Sequence, residues 1–376
     1  MANKNQSNGT PIQRIAVGMS GGTDSSAAAA LLVDQGFEVI GLTAHMWKTG
    51  SRCCSLEDVE RARKVCAYLG IRHYVVNAQD LFTEKVVNPF VQEYASGRTP
   101  SPCIQCNAFI KFGFLLERAL QLDCSHLAMG HYARVEKWSD EKYHLLAAKD
   151  ASKDQSYFLH RLNQRQLAHL LFPLSDMPKT EVKAYSKKRG LPIVPRGESQ
   201  DLCFVEEGKL PEFLEEREPA LRREGKICTP DGKEVGRHQG IHRFTLGQRG
   251  KLGIALGERV YVSQIDPSEN RIEVSPREGV MQTSCILTHL HWISGEAPAS
   301  KLRCQVRPRY RAPAAPATLE IDSKTHSAKL LFDEPQFAPA PGQAAVFYKD
   351  GEVLGGGWIA RANGTYAQTN PRKEAT

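Results

Sequence analysis

The string SGGTDS, Ser20 to Ser25, decides the fold of the N-terminal half. It follows the apolar Ile15, Ala16 and Val17 and precedes an alanine-rich run. Strand, tight turn and helix start, in that order, build an anion site. Gly21 and Gly22 permit backbone conformations and close approaches that a Cβ would block, and the following helix aims unpaired N–H groups and its positive dipole end at phosphate. Ser20, Thr23 and Ser25 add hydroxyl donors. No Gly-Lys-Ser or Gly-Lys-Thr string of the Walker type occurs, so P-loop kinase or GTPase chemistry has no support.

Outward from this loop, short apolar runs alternate with helical patterns: Ile15 to Val17, a helix from about Asp24, Glu38 to Thr43, a helix from about Ser55 to Leu69, and Ile71 to Val76. Such alternation predicts a parallel sheet covered by helices through right-handed crossovers. Ligands of that architecture bind beyond the carboxyl ends of the strands, where SGGTDS, the segment His45 to Cys54, and MGHYAR at Met129 to Arg134 converge. After about residue 210, glycine and proline punctuation increases. Arg259 to Ile265, Arg271 to Val274, Leu319 to Ile321, Ala328 to Phe332 and Ala344 to Tyr348 read as short strands, which predicts a small β-containing domain followed by a β-barrel.

At 376 residues, with 41% hydrophobic and 24% charged side chains, the chain has room for two or three domains with proper cores. Its first ten residues are polar, and no apolar run is long enough to span a bilayer, so a cytoplasmic protein is expected. The net charge of +7 says little, but Lys301, Arg303, Arg307, Arg309 and Arg311 cluster around Tyr310 with no acid between them. A solvated basic strand face and an RNA phosphate-tracking surface both fit that run. Ten cysteines without a leader argue against a disulfide framework and for thiol chemistry or metal binding. Cys66, Cys124, Cys228, Cys285 and Cys304 read as buried small hydrophobes. Cys53 and Cys54 precede a helix start, Cys103 and Cys106 form a C-x-x-C expected in a loop bounded by Pro100 and Pro102, and Cys203 lies in a second polar loop, ESQDLCF.

Several strings point to one family. SGGTDS resembles the pyrophosphate loop of enzymes that split ATP between its α and β phosphates. Together with GRTPSPCIQCNAFIKF at Gly97 to Phe112, MGHYAR, KDQSYFL at Lys153 to Leu159, ESQDLCF at Glu198 to Phe204, FTLGQRGKLGI at Phe244 to Ile254, PGQAAVFY and GGGWI, it resembles the tRNA-specific 2-thiouridylases, in matching order from about residue 13 to about residue 361. The resemblance implies an α/β PP-loop ATP pyrophosphatase domain of the adenine-nucleotide α-hydrolase type over residues 13–209, a small central domain over 210–277 and a tRNA-contacting C-terminal β-barrel over 278–364, with tails at 1–12 and 365–376.

The implied reaction replaces the C2 oxygen of the wobble uridine of tRNA with sulfur, using ATP and Mg2+. That oxygen is a poor leaving group, so it is first adenylated. By resemblance Gly18, Met19, Ser20, Gly21, Gly22, Thr23, Asp24 and Ser25 cradle ATP, with Asp24 as ligand or orienter of magnesium, and Ala44 and Gly130 contact the nucleotide. Ala44 stands where larger apolar residues are common in relatives. Cys106 takes the position of the catalytic nucleophile and Cys203 that of the persulfide carrier, and the two end as a disulfide that an external reductant reopens. A cysteine desulfurase or a persulfide relay protein would supply the sulfur. His131 resembles a position that assists near the base, Lys153, Asp154 and Gln155 a tRNA-contacting trio, Arg309 and Tyr310 a barrel contact to tRNA, and Gln343 a residue near the flipped base.

Cys103 opens an alternative, since Cys103, Cys106 and Cys203 together suit three irons of a [4Fe-4S] cluster whose fourth iron binds sulfide. Two other classes stand beside these. A PP-loop amide ligase would have no use for the cysteine pair or a basic barrel, and a non-catalytic RNA-binding protein would have none for SGGTDS and MGHYAR together.

Overall fold

The computed structural model describes residues 13–47, 56–194 and 202–361, which leaves Cys53, Cys54, both tails and the first half of ESQDLCF outside the described residues. The chain forms two compact units, Met1–Val86 with Gln105–Glu207, and Val87–Ile104 with Gly208–Thr376.

In the first unit, β1 (Arg14–Gly18), β2 (Glu38–His45), β3 (Arg72–Asn77), β4 (His126–Ala128) and β7 (Leu170–Leu171) form a parallel sheet in the order β3-β2-β1-β4-β7. The antiparallel hairpin of β5 (Ala133–Lys137) and β6 (Tyr143–Ala147) follows β4. β1 is buried from Ile15 to Gly18, as a central strand covered on both faces must be. Helix α1 (Thr23–Asp34) buries Ala27, Ala28, Ala29 and Ala30 completely. Methyl-sized side chains let it lie close to the sheet, to α2 (Leu56–Leu69) and to α8 (Lys179–Lys188). The short α3 (Gln79–Phe82) follows β3, and a π-helix over Cys106–Phe114 continues into α6 (Leu115–Gln121), with α7 (Gln164–Leu167) completing the unit. Since β4 begins just after α6, the helix from Cys106 runs back toward the amino ends of the strands, and Cys106 stands at their carboxyl edge.

The second unit begins with α4 (Asn88–Ala95), and α5 (Pro102–Gln105) ends at the junction between the units. Beyond α9 (Leu210–Arg217), a small sheet of β8 (Gly225–Cys228), β9 (Glu234–His238), β10 (Tyr261–Asp266) and β11 (Arg271–Ser275) runs in the order β10-β11-β8-β9 over a core of Ile227, Val262, Ile272 and Val274. Six antiparallel strands follow: β12 (Met281–Trp292), β13 (Lys301–Arg307), β14 (Ala315–Asp322), β15 (Ser327–Phe337), β16 (Ala344–Lys349) and β17 (Glu352–Ile359). They pair in the order β12-β15-β14-β13-β16-β17, and β17 returns to β12, so the barrel closes and leaves no strand edge. Leu287, Val306, Leu319, Leu330 and Phe347 fill it.

All five expected C-terminal strands are present; four are longer than expected, while β10 begins at Tyr261, two residues later than expected. The strands β4, β7, β8, β9, β12, β13 and β17 and the hairpin β5–β6 escaped the sequence pattern. β17 did so because its glycines carry no apolar alternation, and the fold explains them. A Cβ on Gly355, whose φ is +155°, would lie 2.1 Å from the carbonyl oxygen of His291 on the paired strand. Gly355→Ala should therefore destabilise the barrel by about 2–3 kcal/mol, read as a lower urea midpoint, without altering the first unit's affinity for ATP.

Candidate active site

The SGGTDS loop sits where chain order reverses, between β1 and β4, at the carboxyl edge of the sheet. Gly21 is buried at φ +69°, where an added Cβ would strike Arg61 Cβ at 2.7 Å and the Asp58 carbonyl oxygen at 2.8 Å. Ser20 and Gly22 face outward. Ser25 closes the loop, since its Oγ accepts from the Ser20 amide at 3.2 Å, lies 3.1 Å from Ser20 Oγ and donates to the Gly22 carbonyl at 3.2 Å. Gly130 follows β4 and lies flush on this loop. A Cβ there would come within 2.7 Å of the Asp24 carbonyl carbon and 2.8 Å of the Ser25 nitrogen. Gly18 is equally constrained by Met129, whose sulfur would be 2.1 Å away. On the neighbouring strand, Met19 N donates to the Leu42 carbonyl at 2.7 Å, and the buried Ala44 occupies the carboxyl end of β2.

Asp24, in the first turn of α1, is held by two groups that the sequence pattern did not single out. Tyr132 Oη donates to its Oδ1 at 3.0 Å, and Lys179 Nζ donates to Oδ1 at 2.5 Å and to Oδ2 at 2.6 Å. Lys179 is the first residue of α8, an unfavourable place for a cation against the helix dipole. That misplacement, visible as Pro178-Lys179 at a helix start, was the available signal. The ion pair offsets the dipole cost and brings an ammonium group to the phosphate loop.

The thiols divide by environment. Burial pushes Cys66, Cys285 and Cys304 up to about 12 and Cys124 to about 11, which keeps all four protonated and inert at neutral pH. Cys228 is also buried, while Cys285 is only half-buried. Against the expected loop, Cys103 is exposed on α5 and Cys106 is buried at the first position of the π-helix that continues it, while Cys203 is half-buried. The residue after Cys203 anchors its loop. Phe204 meets Phe82 of α3 edge-on at 5.5 Å and Trp47, just beyond β2, at 6.2 Å. α3 in turn packs against the π-helix that Cys106 opens. His131 is buried against Phe112 of that same helix, at 5.4 Å, and Phe172, at 6.1 Å. Desolvation, with the charge of Lys111 beside it, holds its imidazole well below the ordinary histidine value, so it is neutral at pH 7. The sheet thus carries the loop, Gly130, His131, Cys106 and the Cys203 segment on one edge. Among the described residues, no three His, Cys, Asp or Glu side chains are placed to hold a metal ion.

The residues read as tRNA contacts have structural work of their own. Buried Asp154 accepts from the Ala148 and Ser156 amides, both at 3.1 Å, and from Ser156 Oγ at 3.0 Å, while Gln155 Oε1 accepts from Tyr132 N at 3.1 Å. Together they shape the turn on which Lys153 sits. In the second unit Arg309 Nη2 donates to the Phe337 carbonyl at 3.1 Å, beside the half-buried Tyr310. Gln343 Nε2 donates to the Thr99 carbonyl at 2.6 Å. Within the basic run, Lys301 pairs with Glu320 at 3.4 Å and Arg303 with Asp333, so neighbouring strands supply acids that the run itself lacks.

Two outcomes follow from this geometry. Gly130→Ala must push the Asp24–Ser25 backbone aside, and ATP affinity measured by calorimetry should fall by about tenfold or more while the thermal midpoint stays within a few degrees. For His131, the folded-state value lies below the unfolded 6.5, so the unfolded chain binds the extra proton first. Its contribution to stability is complete above pH 6.5 and is lost as pH falls toward the folded value, at up to about 1.4 kcal/mol per pH unit. His131→Asn should flatten urea-derived stability against pH below 6.5. An unchanged slope would mean that the imidazole is not desolvated.

Comparison with known proteins agrees with this arrangement. Residues 13–207 match the family described as tRNA methyl transferase HUP domain, 211–276 the tRNA methyl transferase PRC-barrel domain, and 282–359 the aminomethyltransferase beta-barrel domain. A tRNA-specific 2-thiouridylase MnmA of Solibacter usitatus is 45% identical, covering 93% of this chain and 100% of its own. Proteins of the same name from Halothermothrix orenii and Rippkaea orientalis are 42% and 44% identical, covering 94% and 93% of this chain and 100% and 99% of theirs. With family models matched along most of its length and relatives at 42–45% identity over nearly the whole chain, the chain belongs to the family of tRNA-specific 2-thiouridylases.

Proposed function

We propose that this enzyme, a tRNA uridine 2-sulfurtransferase, adenylates the C2 oxygen of the wobble uridine and then delivers sulfur through Cys203 and Cys106. The placement of SGGTDS, Gly130, His131, Cys106 and the Cys203 segment along one sheet edge carries this reading. The domain descriptions speak of methyl transfer, but an AMP-transferring loop beside a thiol pair suits thiolation.

In the first step the uridine C2 oxygen attacks the α-phosphorus of ATP and pyrophosphate leaves. The loop amides, Ser20 and Thr23 receive the negative charge, and Ala44 lies at the strand end where the nucleoside is held. Asp24 would hold the magnesium ion that ATP carries, which supplies charge neutralisation at the departing phosphates. Lys179, already at hydrogen-bond distance from both Asp24 oxygens, keeps that carboxylate aimed at the loop and shares its charge with the phosphates. Neutral His131 is a hydrogen-bonding group that adds no charge beside the base.

In the second step the terminal sulfur of a Cys203 persulfide bonds to C2, and AMP leaves with the original oxygen. The Cys106 thiolate then attacks the Cys203 sulfur, the S–S bond to the base breaks, and a Cys106–Cys203 disulfide remains, which an external thiol reduces with two electrons. Cys106 lies one turn into the helical segment that begins at Pro102, which fixes its thiol on a regular element. A cysteine desulfurase or persulfide relay protein reloads Cys203 in the cytoplasm. Lys153, with the turn shaped by Asp154 and Gln155, and Arg309, Tyr310 and Gln343 in the other unit are the tRNA contacts of this reading.

A [4Fe-4S] route through Cys103, Cys106 and Cys203 lacks a matching ligand array among the described residues. The cysteines decide between the two. Cys106→Ser and Cys203→Ser should each lose 2-thiouridine formation yet still release pyrophosphate in a tRNA-dependent manner. Cys103→Ser should keep most of its thiolation with a desulfurase donor. Loss of activity in Cys103→Ser together with about four bound irons in reconstituted wild type would overturn the relay.

A further inference from the structure

Arg161 stands over the start of the π-helix with no use assigned to it. Its Nη1 donates to Gln105 Oε1 at 2.7 Å, next to Cys106, and its guanidinium lies 5.5 Å from the ring centroid of Phe109, three residues further along. The same strand of chain is sewn to the helix at Asn107, whose Nδ2 donates to the Phe158 carbonyl at 3.2 Å. These contacts fix the guanidinium beside the position read as the nucleophile. No carboxylate among the described residues pairs with it.

Arg118 of this unit also has a glutamine amide, Gln121 at 2.7 Å, and a ring, Phe114 at 5.1 Å, but it is exposed; several other arginines are paired with carboxylates. Arg14 pairs with Glu38, Arg61 with Glu57 and Asp58, Arg165 with Glu117 and Arg189 with Asp34. Most of those pairs are exposed, and the buried one, Arg61 with Asp58, has its carboxylate in place. Arg161 is more deeply set, and burial pulls its value below that of ordinary arginine, yet its hydrogen-bond partner is a neutral amide. A planar fork held by one neutral bond and one ring keeps donors for a second, anionic partner, and phosphate matches its geometry. Phe109 is 37% exposed, so solvent reaches the ring under the guanidinium.

We propose that Arg161, positioned by Gln105 and Phe109, binds a phosphate of the RNA substrate at the Cys106 end of the site and so fixes the target nucleotide against the thiol. The inference rests on the thiouridylase reading of Cys106. Two phosphates have the required chemistry: a backbone phosphodiester beside the wobble uridine, and the adenylyl phosphate of the activated base.

The test is filter binding of an unmodified tRNA transcript with a wobble uridine, across a salt series and without ATP, for wild type, Arg161→Gln and Arg161→Lys. Gln keeps a hydrogen bond toward Gln105 without the charge, and unchanged ATP affinity shows that each variant is folded. A backbone contact predicts about tenfold weaker binding for Arg161→Gln with a salt slope shallower by about one, and a wild-type slope for Arg161→Lys. An adenylyl contact predicts unchanged binding and slope, but at least a tenfold fall in single-turnover conversion of adenylated tRNA to product. If binding, slope and that conversion all stay at wild-type values, the assignment is overturned. It is equally overturned if only the pH profile of Cys106 alkylation moves, since Arg161 would then serve the thiolate. Failure of wild type itself to bind the transcript would sink the thiouridylase reading instead.

Discussion

The close approach of two backbones, Gly130 against Asp24 and Ser25, is the constraint on which the site depends. It joins the turn after β1 to the turn after β4, the two strands between which chain order reverses. A crevice opens there because the crossovers leave in opposite directions, and only glycine at 130 lets its floor close at backbone distance. Nucleotide loop, Tyr132 and His131 then take their places within a few residues of one another. The same floor aligns Asp24 with Tyr132 and Lys179.

Charge in the first unit is arranged around that crevice. Lys179 occupies a helix position that its own dipole disfavours, and Asp24 compensates it. Arg161 sits in a desolvated place with a neutral partner. Cations set where the fold alone does not need them suit the polyanionic ligands of the proposed function, ATP and tRNA. His131 is the counterpoint, because burial keeps it neutral beside that positive charge. The isolated thiols are silenced by the same desolvation, which confines thiol chemistry to better placed cysteines.

The second unit shows a different kind of constraint. Residues 96–99, immediately before the C-x-x-C, are tied within this unit by backbone and side-chain bonds. The Thr99 amide donates to the Pro341 carbonyl at 2.9 Å, Gln343 to the Thr99 carbonyl at 2.6 Å and Arg361 to the Ser96 carbonyl at 2.5 Å. Gly342, at φ +88°, leaves room for Arg98 and Thr99 to pass. The motif strings PGQAAVFY and GRTPSPC are therefore two sides of one contact.

The sequence by itself determined the parallel sheet, the phosphate loop and the order of the strings, because each rests on local physics. Strand periodicity, glycine torsion and helix starts are written in consecutive residues. It marked Cys66, Cys124, Cys228 and Cys304 as buried thiols, but its reading of Cys103 and Cys106 as loop residues fails, since they stand on α5 and in the π-helix, and Cys285 is only half-buried. What only the tertiary structure decided are pairings between distant residues: Lys179 with Asp24, Phe204 with Phe82 and Trp47, Arg161 over Gln105 and Phe109, and Asp333 answering Arg303. The discontinuous second unit was hidden for the same reason, since nothing in residues 87–104 marks them as partners of a chain that resumes at 208. Such contacts are selected by burial and closure in three dimensions, and a linear pattern carries no record of which partner is near.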